Sequence, residues 1–216
     1  MDAPHSSRTR LLEATLNVVR AKGYTATRIE DVCAAAGLTK GSFFHHFKSK
    51  EDLALAAAQH WLDGTTGFFA QAPYHAPADP LDRLLAYVDF RKSLLTGELP
   101  DYTCFVGTML QEVYATHPAI GAACARSISG HARSLEGDIR AAMQRYGVAG
   151  DWTAESLALH TQCVVQGAFI LAKATGGAAA ARDSLEHLGR YLALLFGRAG
   201  GAKPATRDQS AEEERP

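Results

Sequence analysis

The sequence predicts an all-α fold: a small three-helix unit of helix-turn-helix type at the amino terminus, followed by a larger helical domain, about nine helices in all. Three observations predict it. Apolar residues recur at helical spacing along most of the 216 residues. No stretch sustains the two-residue alternation of a half-buried strand. Glycine and proline fall between the periodic segments, where helices stop and start.

Leu12, Leu16 and Val19 repeat at i, i+4, i+7, so residues 8–23 read as the first helix, stopped by Gly23. Ile29, Val32, Cys33 and Ala36 give a second helix over about 28–36, with Thr27 and Glu30 as a capping box. Gly37 ends it, since glycine tolerates positive φ. Thr39 caps a short third helix that reaches His46 or Phe47. Ser49 to Asp52 opens a fourth helix to about residue 71, and "PYHAPADP" breaks the chain. Asp79-Pro80 starts a fifth helix that runs toward "TGELP". A sixth covers about 103–115, and His117-Pro118 turns the corner into a seventh over 118–146. The eighth spans about 153–174. The ninth spans about 179–198, with Leu185, Leu188, Leu192 and Leu195 on one stripe. This divides the chain into a reading unit over 6–60, a larger helical domain over 61–199 and a polar, disordered tail over 200–216.

Composition narrows the function. Hydrophobic residues make up 47% and charged residues 21%, the range of a globular domain. The formal charge is −1, yet residues 1–50 carry eight Lys or Arg against four Asp or Glu. A basic amino-terminal end on an acidic body points to a polyanionic partner at that end. The four cysteines, at 33, 104, 124 and 163, form no C-x-x-C motif and read as free thiols of a reducing cytoplasm. The most apolar run, "CVVQGAFILA", is about half of what a bilayer requires, so no membrane partner is expected. No nucleophile–base motif or metal-ligand spacing occurs, which argues against an enzyme and against a cofactor. The adjacent His45 and His46 point about 100° apart on a helix and lack a third ligand, which argues against a metal.

The informative stretch is "GLTKGSFFHHF", Gly37 to Phe47. On a helical wheel Phe43 and Phe47 share one face with Leu38 and must be core. Gly41, Ser42 and His45 face the other way, with Lys40, Phe44 and His46 at the edges. A cluster of core aromatics would leave Phe44 exposed without reason. An exposed glycine costs about 1 kcal/mol against alanine, but it lets a partner approach the backbone closely. The second helix of a helix-turn-helix presents such a face to a DNA major groove.

Residues 25–53, "TATRIEDVCAAAGLTKGSFFHHFKSKEDL", resemble the DNA-binding signature of the TetR/AcrR family of bacterial transcriptional repressors, and the resemblance is dense over about 8–60. It implies DNA contacts at Thr27 and Arg28, at Thr39, Lys40, Gly41, Ser42, Phe44, His45 and His46, and at Lys50. Phe44 and His46 stand where many members carry tyrosine, so a phosphate hydrogen bond is lost at Phe44. It also implies a homodimer on double-stranded palindromic DNA, built through the eighth and ninth helices, and a pocket for a small-molecule effector. Candidate lining residues are Trp61, Phe68, Phe90, Phe105, Met109, Glu112, His131, His160 and Cys163, a set that any helical core would also supply. Cys104, at a helix start, is either structural or a thiol sensor. Two other readings stand beside the regulator: an all-α enzyme with a His/Glu cavity, and an interaction module that keeps the fold without binding DNA.

Overall fold

The computed structural model describes residues 6–198 and holds ten α-helices and one 3₁₀ turn among them. The expected tail over 200–216 lies outside the described residues. The helices are α1 (Ser7–Lys22), α2 (Ile29–Ala36), α3 (Lys40–His46), α4 (Lys50–Ala70), α5 (Pro80–Ser93), α6 (Leu99–Tyr102), α7 (Phe105–Val113), α8 (Pro118–Tyr146), α9 (Ala154–Thr175) and α10 (Ala179–Leu195), with the 3₁₀ turn at Pro73–His75. The all-α class and the three-helix start follow the sequence expectation.

Local chemistry sets the ends. Ser6, Thr39, Ser49, Asp79 and Thr153 each accept a backbone N–H of the helix they precede. Gly37 takes φ +62° at the end of α2, and Leu38 N–H returns to Cys33 O at 2.8 Å.

Two expectations are corrected. The cap of α2 falls one residue late: Arg28 is the N-cap and its N–H donates to Asp31 Oδ2 at 2.7 Å, while Glu30 faces Lys40. Thr27 is buried, and its hydroxyl donates to Gly23 O at 2.6 Å. The fifth helix stops at Ser93, and a short unforeseen helix, α6, stands before the expected sixth; Thr103 is extended between them, and Cys104 begins α7, its Sγ accepting from Gly107 N–H at 3.3 Å.

Two apolar cores result. The first gathers Leu11, Val19, Val32, Phe43, Phe47 and Leu53 from α1 to α4, and continues into Phe105, Met109 and Val113 of α7 and Ile120 and Cys124 of α8. The second joins Tyr87 of α5, Leu135 and Ile139 of α8, Val165 and Ala168 of α9, and Leu185 and Leu192 of α10. Cys104 packs against both. By length and composition α9 could cross a bilayer, with 44% of its most apolar window buried. The shorter run singled out from sequence understated that helix. Gln162 within it is buried and bonded to Tyr87, the behaviour of a core helix.

Candidate nucleic-acid interface and interior cavity

The outer face of α3 follows the wheel. Phe43 and Phe47 are buried, their rings 5.8 Å apart. Gly41, Phe44 and His45 are exposed and Ser42 is half-buried. Phe44 keeps 57% of its surface open, a large apolar ring beside a polar face. A Cβ built on Gly41 would meet nothing closer than Thr39 Oγ1, at 3.6 Å, so the fold itself does not require glycine there. The edges are engaged within the protein. Lys40 is paired with Glu30, and His46 Nε2 is hydrogen-bonded to Ser7 Oγ at 2.6 Å, so His46 ties α3 to α1. Lys50 Nζ lies 4.3 Å from the Tyr24 ring centroid and donates to Thr25 O at 3.3 Å; its burial lowers its pKa. Arg28 is exposed at the α2 N-terminus, where backbone N–H groups favour an anion. Of the proposed contacts, the Thr27 side chain is turned inward.

Behind this unit a cavity of about 430 Å³ opens between α4, α5, the 94–104 segment, α8 and α9. Trp61, Phe68, Phe69 and Phe169 supply apolar wall; Ser127, Gln162 and Gln166 supply polar atoms. The Arg91 guanidinium stands 5.1 Å from the Phe69 centroid and 5.5 Å from that of Phe169, contacts each worth about 0.5–2 kcal/mol. His131 Nε2 is 2.9 Å from Tyr87 Oη, which also accepts from Gln162 Nε2 at 3.2 Å. Burial first, and then the Arg91 charge, push the His131 pKa down to about 3, so the ring is neutral near pH 7.

The cavity reaches the reading unit by two routes. Arg20 of α1 lines it, lies 5.5 Å from the Trp61 ring centroid and donates to Asp101 O at 3.2 Å. In addition α7, whose N-cap Cys104 borders the cavity, carries Glu112. The Glu112 carboxylate accepts the N–H of Tyr24 at 3.0 Å and of Thr25 at 2.7 Å, in the loop between α1 and α2.

Known proteins share the fold. Residues 11–57 match the model of bacterial regulatory proteins of the tetR family, and residues 80–188 match that of a tetracyclin repressor-like C-terminal domain. The chain belongs to the tetR family. This tetR-family chain is 33% identical over 81 residues to the HTH-type transcriptional repressor KstR2 of Mycolicibacterium smegmatis, 38% of this chain and 39% of that protein. It is 47% identical over 53 residues to the HTH-type transcriptional regulator CymR of Pseudomonas putida, 24% of this chain and 26% of that one. It thus spans well under half the length of these curated relatives. Among solved structures, a TetR-family regulator from Agrobacterium tumefaciens superposes with a TM-score of 0.77 at 19% identity, over 88% of this chain and 98% of that one. The reduced form of E. coli NemR superposes at 0.73 and 19%, over 85% and 95%. At these identities the structures establish the fold. The family is one of DNA-binding regulators, not enzymes.

Within this tetR-family fold the expected lining divides. Trp61, Phe68 and His131 line the cavity. Phe90 stands behind it, 5.5 Å from the Phe68 ring. Phe105 and Met109 are wholly buried in the first core, because α7 turns its apolar face toward α8, α1 and α4. Glu112 serves the loop after α1. His160 and Cys163 are exposed on the outer side of α9, where the His160 ring meets Tyr191 of α10 edge-on, centroids 5.2 Å apart. Sequence reasoning missed Arg91, Gln162 and Gln166. Arg91 had one usable signal: in "YVDFRKS" it follows the apolar stripe of α5 by three residues from Val88. Cys33 and Cys124 are buried, with thiols pushed up in pKa, Cys124 to about 12. Cys104 is the cysteine that borders the cavity.

Proposed function

We propose that this chain is a cytoplasmic repressor that binds a palindromic operator as a homodimer and is released by a small-molecule effector entering the cavity. One observation carries the reading: the cavity and the first turn of the DNA-reading unit share a single rigid element, α7, with Cys104 at one end and Glu112 near the other. An occupant that displaces α7 displaces the loop that leads into α2. Release then needs only that the effector bind the non-DNA conformation better, and a coupling of about 1–3 kcal/mol is ordinary. Gly41, Ser42, Phe44 and His45 of α3 are the base-facing candidates, and Arg28, Thr39 and Lys40 the phosphate or edge candidates. The reading unit over 6–60 and the effector and dimer domain over 61–199 are the working division.

The dimer is proposed through α9 and α10. Their outer sides expose Leu159, Ile170, Leu171, Tyr191 and Leu194, an apolar face that a second copy would cover as a four-helix bundle. A two-fold dimer sets its recognition helices about 34 Å apart, matching successive major grooves. The test is selection of bound DNA from a random pool with the full chain, followed by affinity measurements over a salt series. A palindromic consensus with steeply salt-dependent affinity is expected. Failure to retain any sequence above non-specific binding overturns the reading.

A second reading has its own observation. Cys104 is partly exposed, borders the cavity and caps α7, so modification of its thiol would act on the same element as an effector.

A further inference from the structure

We propose that the effector is a carboxylate with an aromatic or compact apolar body, held through its carboxylate by Arg91. This rests on the regulator reading above and names the chemistry of its cavity.

The case begins with charge. Arg91, the third residue from the end of α5, is half-buried on the cavity wall. Among the described residues it forms neither an ion pair nor a hydrogen bond; its contacts are the faces of Phe69, Phe169 and, at 6.0 Å, Tyr87. A guanidinium carries five N–H donors, and ring faces satisfy its charge without satisfying those donors. The other cation on the wall is differently placed. Arg20 donates to Leu16 O, Asn17 Oδ1 and Asp101 O, so each of its three nitrogens already has an acceptor. The acid on the wall, Asp101, accepts the Glu98 N–H at 2.8 Å and lies with Arg20.

The surroundings agree. His131 is neutral, so it neither adds nor cancels charge. Gln162, a largely buried residue of the wall, joins Tyr87 and His131 in a hydrogen-bonded chain. The body of a ligand whose anion meets Arg91 lies against Phe69, Phe169, Phe68 and Trp61. A planar fork of donors set among ring faces suits a planar carboxylate, which it can bind through two parallel hydrogen bonds. The volume of about 430 Å³ lies in the range of small-ligand pockets and accommodates a small organic acid.

The experiment uses the full chain and matched probes: benzoate, 3-phenylpropanoate and cyclohexanecarboxylate, each beside its primary amide and, for the first, benzenephosphonate. Binding is read by thermal shift and by fluorescence of Trp61, with Trp152 replaced by Phe. At least one carboxylate should bind wild type about tenfold or more tightly than its amide. Arg91→Gln should erase that preference by lowering carboxylate affinity and leaving the amide unchanged, and Arg91→Lys should restore part of it. Circular dichroism and melting temperature confirm that each variant folds. Equal binding of acid and amide, equal binding by Arg91→Gln, or no bound carboxylate overturns the proposal; a preference for the phosphonate overturns the carboxylate assignment. The operator selection separates the two readings. A chain that selects a palindrome yet ignores every carboxylate keeps the regulator and loses this ligand class, whereas a chain that selects no DNA loses the regulator.

Discussion

Glu112 occupies the space that a side chain at Gly23 would fill. A Cβ at Gly23 would collide with the Glu112 carboxylate, and Gly23 holds φ +86°, which other residues rarely adopt. The bare Cα lets the carboxylate reach the next two backbone N–H groups. A residue that sequence reading takes for a helix stop is therefore also the seat of the contact between α7 and the DNA-reading unit.

Replacing Glu112 by alanine strips the acceptor from Tyr24 N–H and Thr25 N–H. Chemical denaturation should show a loss of about 1–2 kcal/mol. Operator affinity should fall, and added effector should change it less than in wild type. Unchanged effector response would remove α7 from the signalling route.

Gly41→Ala separates folding from recognition. The site has room for a methyl group, so the helix should gain up to about 1 kcal/mol. The same methyl group stands on the face proposed for DNA, so operator affinity should drop. A variant that is both more stable and an equal binder would take Gly41 out of the interface.

Thr27 and Arg28 are neighbours with opposite expected readouts. Thr27→Ala removes a buried hydroxyl that bonds Gly23 O and should lower stability by about 1 kcal/mol. Arg28→Ala should leave the melting temperature near wild type and reduce the slope of log affinity against log salt by about one. If Arg28→Ala leaves the slope intact, no phosphate is bound there.

Cys104→Ser tests the thiol reading. An electrophile such as N-ethylmaleimide should release operator DNA from wild type and not from the variant, followed by fluorescence anisotropy. Equal release from both would sink it. Cys163, the exposed cysteine, is the necessary control, so the comparison is made in a Cys163→Ser background.

His131 makes stability fall in mild acid. Its folded pKa of about 3 lies below the ordinary value of 6.5, so the unfolded chain binds the proton first. The stabilisation is complete above pH 6.5 and is lost progressively as pH falls toward 3, at up to about 1.4 kcal/mol per pH unit within that window. Between pH 6.5 and 5, before carboxylates titrate heavily, His131→Gln should show a flatter stability profile than wild type. Parallel profiles would mean that His131 is protonated in the folded protein.

The sequence by itself determined most of the helices but not α6, together with the turn at Gly37, the cap at Thr39 and the division of α3 into a buried Phe43–Phe47 edge and an open Gly41–His45 face. These follow from periodicity and backbone preference, which act over a few residues. Tertiary structure alone decided which residues meet across long separations. Thr27 turns inward because Gly23 O accepts its hydroxyl, and His46 is drawn to Ser7, 39 positions away in sequence. The family resemblance makes Phe105 and Met109 pocket candidates, but the first core runs on into α7 and buries them. Arg91 looks like an ordinary basic residue near a helix end. Only the packing of α5 on α8 and α10 brings it among Phe69 of α4, Tyr87 of its own helix and Phe169 of α9, facing a cavity and without an acidic partner among the described residues. Helical spacing fixes which way a side chain points, but not what stands opposite it.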